Sequence, residues 1–167
     1  MAVLPILTYP DPRLKRVAEP VTAFDADLHR FLADLRETME AGPGGVGIAA
    51  PQVDRPLRIC LVDCSRARKP CPNHGYLELI NPEIVEWSGM EVGREGCMSI
   101  PDYTANVVRA TEVVVQFQDR EGAERVVRAE GFEARAIQHE LDHLEGVLFI
   151  DRVVSKRRDV FPRKRYR

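Results

Sequence analysis

An α+β fold follows from three features of the chain. Residues 25–41 carry an amphipathic helical period, residues 57–129 are short β-type segments cut by turn residues, and a second helical period runs from about 131 to 146. Helix, several antiparallel strands, helix is the order of an α+β protein and not of a doubly wound sheet. The expected architecture is antiparallel strands packed around a central helix that carries a metal-ligand pattern, with the amphipathic helix at the N-terminal end. At 167 residues, 44% hydrophobic and 30% charged, the chain has room for one domain and one core.

Met1 to Pro10 is apolar but short, is broken by Pro5, and lacks a basic leader and a small-residue cleavage site. It reads as neither signal peptide nor membrane span, so cytoplasmic residence and reduced cysteines are expected. Residues 11–22 read as proline-punctuated coil with one helical turn at Arg13 to Val17. From Asp25, Leu28, Phe31, Leu32, Leu35 and Met39 repeat at helical spacing, with Asp25 or Asp27 as the cap. Ala41-Gly42-Pro43-Gly44-Gly45 cannot continue the helix.

Gly45-Val46-Gly47-Ile48-Ala49-Ala50-Pro51-Gln52 follows. Its alternating glycines point to backbone running close to a ligand. A phosphate loop is excluded by the missing Gly-Lys-Ser/Thr, and Gln52 supplies an amide able to donate to an oxygen. Leu57 to Val62 reads as a central strand. Cys60, Cys64, Cys71 and His74 fall within fifteen positions but lack a C-x-x-C knuckle, so they read as free thiols.

Leu77 to Trp87 and Met90 to Gly93 read as strands joined at Ser88-Gly89, with an irregularity at Asn81-Pro82. Glu95-Gly96-Cys97-Met98-Ser99 comes next, leading into a proline-containing turn. A thiolate at Cys97 suits the third ligand of a tetrahedral site that keeps its fourth position open. Ala105 to Arg109, Glu112 to Gln118 and Glu124 to Ala129 complete the strands, the last two as a hairpin across Asp119 to Gly122.

The final helix, bounded by Gly131 and Gly146, contains His139-Glu140-Leu141-Asp142-His143. Two histidines four apart lie on one helix face and can close on a single divalent ion, with Glu140 placed as base toward its water. At about 100° per residue, Phe132, Ala136, His139 and His143 share one sector. Ile137, Leu141, Leu144 and Leu148 form an apolar stripe roughly 140° away. Arg135, Gln138, Asp142 and Glu145 fill a polar third side. A zinc-peptidase helix has the same pattern, so the third ligand must come from elsewhere.

The three stretches GVGIAAPQ (45–52), EGCMS (95–99) and QHELDHLEG (138–146) together resemble the peptide deformylase family, in its order and at similar separations. The resemblance implies that Cys97, His139 and His143 hold one divalent metal ion. Fe2+ is the native metal in the family, and Zn2+, Ni2+ or Co2+ can occupy the site. It implies that Glu140 is the acid/base, that Gln52 and the Met98 backbone N–H stabilise the oxyanion, and that Val46 and Gly47 line the substrate cleft. The implied reaction removes the formyl group from N-terminal formylmethionine of nascent peptides. Phe132, Ala136 and Val46 would make an apolar recess for the methionine side chain. Met98 stands where leucine is commoner. Tyr103-Thr104-Ala105-Asn106 stands where many members have a basic residue that holds the substrate backbone, which leaves peptide preference open. Two nitrogen ligands and one thiolate leave a net +1 on the ion, lowering the pKa of a bound water toward neutrality. The rivals are an HExxH peptidase and a catalytically weak metal-binding relative associated with the ribosome.

The tail from about residue 152 is basic. Residues 152–167 carry eight Lys or Arg against one Asp, or +7, which leaves −9 on residues 1–151 of a chain with net charge −2. A basic end on an acidic body suits a polyanion such as ribosomal RNA. Val160, Phe161 and Tyr166 are expected to pin a short helix or turn to the body.

Overall fold

The computed structural model describes residues 2–163. In chain order it has a 3-10 turn at Pro12–Lys15, helix α1 (Ala26–Ala41), strand β1 (Gly47–Ala49), a 3-10 turn at Ala50–Val53 and β2 (Ile59–Asp63). After a 3-10 turn at Cys64–Arg66 come β3 (Tyr76–Ser88), β4 (Glu91–Cys97), β5 (Ile100–Arg109), β6 (Glu112–Gln118) and β7 (Glu124–Glu130). Helix α2 (Gly131–Leu144), a 3-10 turn at Phe149–Arg152, the single turn α3 (Lys156–Asp159) and β8 (Val160–Pro162) complete it. The strands form two sheets, β1-β2-β3-β6-β7 and β4-β5-β8, with every neighbouring pair antiparallel. This is the expected α+β class.

Helix α1 starts where the Asp25 carboxylate accepts from the Leu28 N–H (3.0 Å), satisfying one of the first-turn amides that have no partner within the helix. Its apolar stripe, Leu28, Phe31, Leu32, Leu35 and Met39, is buried against the five-stranded sheet. Helix α2 covers the other face of that sheet. Strand β2 lies between the two helices, so its side chains alternate between them. Ile59 and Leu61 join the α1 side, whereas Cys60 and Val62 join the α2 side. All five residues of β2 are therefore buried. A third apolar cluster, including Leu14, Ile100, Val107, Leu148 and Phe149, lies under the three-stranded sheet.

The β6–β7 hairpin forms as expected, because Asp119 accepts from the N–H groups of Glu121 (2.9 Å) and Ala123 (3.1 Å) and so closes the turn. Asn81 is the expected irregularity. Its φ is +50°, its side chain bonds both backbone groups of Val21, and the β3–β6 register shifts between Ile80 and Glu83.

Two expectations change and one gains detail. The strands joined at Ser88-Gly89 fall in different sheets. β3 continues in the large sheet, and β4 starts the small one and runs on to Cys97. The proline-containing turn after Cys97 is instead the turn Met98-Ser99, with Pro101 inside β5. The tail does not stop at a short helix: after α3, β8 pairs with β5, matching Thr104 to Phe161. Tyr166, also expected to anchor the tail, lies outside the described residues. No helix among them is long and apolar enough to cross a membrane.

Candidate active site

Cys97 ends β4, and the hairpin register sets it opposite Ile100. His139 and His143 lie one turn apart on α2, their ring centroids 5.3 Å apart. The tight Met98-Ser99 turn brings the thiol beneath them, with Cys97 Sγ 3.4 Å from His143 Nε2. One ligand atom from each of the three residues lies within 4.8 Å of the others, and all three residues are buried. A tetrahedral ion with the usual bond lengths to sulfur and imidazole nitrogen sets those donors about 3.6 Å apart, so the set fits a divalent ion of that kind. The charge state fits too. Burial alone would raise the Cys97 pKa, but His143 and His139 beside it hold it well below its ordinary value, favouring the thiolate.

His139 is oriented by a carboxylate. Its Nδ1 lies 2.9 Å from Glu95 Oε1, which leaves Nε2 for the metal position and fixes the tautomer. Glu95 accepts a two-pronged contact from Arg109 (2.8 and 2.9 Å) and a third bond from Arg135 (2.7 Å). Burial opposes ionisation of Glu95, yet hydrogen bonds from Arg109 and His139 hold it well below the usual carboxylate range. Arg109 also bonds Asp142 (2.6 Å), and Arg152 clasps Asp142 from outside (2.8 and 3.0 Å). The polar side of α2 is thus largely covered: Asp142 is only 8% exposed. Gln138 is likewise engaged, with the backbone of Ala110. Leu148, placed on the helical stripe, lies beyond the end of α2 but is still fully buried.

Glu140 is buried between α2 and β1. A Cβ on Gly47 would stand 2.5 Å from Glu140 Oε2, so only glycine at 47 lets the carboxylate lie against the strand. Glu140 Oε1 is buried without a hydrogen-bond partner. Burial pushes its pKa up to about 7, against the pull of His139 and His143. A carboxylate that titrates near neutrality can both take and return a proton.

Gln52 is held from behind. Its Oε1 accepts from the Ala49 N–H (2.9 Å), so Nε2 points to Cys97 Sγ (3.5 Å) and Ser99 Oγ (3.0 Å). Met98, in the turn beside Cys97, packs its side chain toward the α1 cluster. Val46 and Gly47 are half-buried at the start of β1. Ala136 is buried, and Phe132, in the first turn of α2, is 43% exposed. Glu95, Ser99, Arg109, Arg135, Asp142 and Arg152 support the site without any signal in the sequence for that part. Glu95 stood in the EGCMS motif, but its partners His139 and Arg109 are 44 and 14 positions away, separations with no periodic signal.

The other cysteines are free thiols. Burial pushes Cys64 up to about 12 and raises Cys60 well above its ordinary value, so neither is a ready thiolate.

Comparison with known proteins accords with this geometry. The sequence matches the family described as Polypeptide deformylase over residues 3–159. A peptide deformylase of Nautilia profundicola is 44% identical, with 98% of this chain and 94% of the relative covered. Among solved structures, the peptide deformylase of Thermotoga maritima superposes with a TM-score of 0.84 at 37% identity, covering 93% of this chain and all of the other. A Met-Ala-Ser-bound class I type b peptide deformylase from Acinetobacter baumannii gives a TM-score of 0.84 at 36% identity, covering 91% and 99%. With fold, site and sequence in agreement over nearly its whole length, the chain belongs to the polypeptide deformylase family.

Proposed function

We propose that this chain removes the N-formyl group from formylmethionyl nascent peptides in the cytoplasm, releasing formate, with residues 1–167 acting as one catalytic domain. The observation that carries this reading is the convergence of the buried Cys97, His139 and His143 donors with an unpartnered Glu140 oxygen and the Gln52 amide. Cys97, His139 and His143 would hold a divalent ion, which when bound would supply Lewis acidity and make water a readier nucleophile near neutral pH. Glu140 accepts the proton of the attacking water and returns it to the departing amine nitrogen. The formyl carbon bears only hydrogen and is open to attack, and the oxygen that gains charge accepts from Gln52 Nε2–H and the Met98 N–H. Glu95 keeps His139 facing the ion. Val46, Phe132 and Ala136 take up the methionine side chain, and Gly47 lines the cleft beside it. β1 and β4 are both edge strands, and an extended peptide laid between them is gripped through backbone groups on both sides.

The metal is Fe2+ in the cell in this reading. Anaerobic purification, metal analysis and formate release from formyl-Met-Ala-Ser form one test. Chelation is expected to abolish turnover and Fe2+ or Ni2+ to restore it. In air the iron form should lose activity faster than the nickel form, because the ferrous ion is itself oxidised by air while the oxidisable thiolate is common to both forms. Equal lifetimes count against iron dependence. Cleavage of internal peptide bonds would return the HExxH peptidase reading, and metal binding without any turnover the ribosome-associated binding module.

The basic tail serves the ribosome in the same proposal. Lys156, Arg157 and Arg158 are exposed on α3. Lys164, Arg165 and Arg167 lie outside the described residues, and Arg163 turns toward Cys97, so the cut that isolates the tail falls after 163. Deleting residues 164–167 is expected to spare turnover of the free tripeptide and weaken ribosome binding. Its salt dependence should become shallower as fewer counterions are released. Identical binding across a salt series, with and without those residues, removes the tail from the proposal.

A further inference from the structure

The residue that follows the C-terminal strand β8, Arg163, reaches the loop that carries the thiolate. β8 pairs along β5, and the Arg163 N–H donates to the Asp102 carbonyl (2.8 Å), extending that pairing by one bond. From there the half-buried Arg163 side chain runs back over the EGCMS loop, and its Nη2 donates to the Cys97 carbonyl at 3.4 Å. Gly96 makes room for it: a Cβ at 96 would stand 2.6 Å from Arg163 Nη2. Arg163 Nε is buried with no partner, a cost that a solvated tail residue would not carry.

The Cys97 carbonyl and the Met98 N–H belong to one peptide unit, which is planar and trans. A donor on the carbonyl fixes the tilt of that plane. It also draws electron density toward the oxygen, which makes the N–H on the opposite side a stronger donor. A cation strengthens both effects.

We propose that Arg163 is a positioning residue for deformylation: from the C-terminal strand it orients and polarises the Cys97–Met98 peptide whose N–H meets the developing oxyanion. This rests on the reading of the Met98 N–H given above. It also assigns the C-terminal strand a part in the reaction rather than in ribosome docking alone.

The test compares Arg163→Met, which keeps the length and loses every donor, with Arg163→Lys, which keeps a cationic donor. In the zinc-loaded protein, the Met98 amide proton resonance is expected to move upfield in Arg163→Met and to lie between that and wild type in Arg163→Lys. Thr104 and Ala105 resonances should stay in place because β8 remains paired. Turnover of formyl-Met-Ala-Ser should fall about three- to tenfold in kcat in Arg163→Met, with KM and metal content unchanged and part of the rate recovered by lysine. An unmoved Met98 resonance overturns the proposal whatever the rate does. A shifted resonance with unchanged kcat overturns it through the oxyanion reading, leaving the contact itself intact. A rate loss that tracks metal loss makes the role structural and overturns it as well.

Discussion

Glu140→Gln is expected to retain the fold and the bound metal while losing formate release by on the order of 10²–10⁴-fold. Glutamine has the shape of glutamate, so it fits the space that Gly47 leaves beside Oε2. What it lacks is a site that can take a proton. The wild-type carboxylate suits that task because it is buried, has one oxygen without a partner, and titrates near 7. Measuring kcat beside metal stoichiometry checks the assignment. A glutamine variant with metal bound and near-wild-type turnover would remove Glu140 from the role of base.

Arg109→Met is expected to give the largest loss of stability. Arg109 is 5% exposed and lies between two buried carboxylates, Glu95 and Asp142. Removing it leaves two negative charges with reduced compensation. Breaking such a buried network costs about 3–5 kcal/mol. For a chain of this size that is a fall in Tm of roughly 6–20 °C. Arg135 and Arg152 still hold one carboxylate each, which favours the lower part of the range. Glu95 would also lose the clamp that steadies it against His139, so metal affinity should drop about 10- to 100-fold. Adding Glu95→Gln and Asp142→Asn should recover part of the stability but not of the metal affinity, since the neutral groups no longer need pairing. Thermal melts of the metal-free variants, with a metal competition titration, separate the two effects. A Tm within a degree or two of wild type would mean that Arg109 is not the centre of the network.

The parts of this site that lie close together in the chain are legible in sequence. His139, Glu140 and His143 take their arrangement from the helical repeat, and Asp25 caps α1 through its own side chain. The β6–β7 hairpin follows from the five turn residues 119–123 between Gln118 and Glu124. Cys97 was legible only as a thiol in a glycine-flanked motif, and the shared resemblance of three motifs tied it to the helix. What tertiary structure alone decided is which distant groups face each other. The period of α2 marks Arg135, Gln138 and Asp142 as polar and says nothing of what covers them. A second sheet does so, and it turns that side into a buried network reaching His139 through Glu95. The separation of β3 from β4 into different sheets was equally hidden, because a Ser-Gly turn is compatible with a hairpin or with a crossing. Composition marked the tail as basic, but strand pairing determined that Phe161 lies beside Thr104 and that Arg163 reaches Cys97. Charge and period are properties of a segment, whereas burial and partnership are properties of the packed chain.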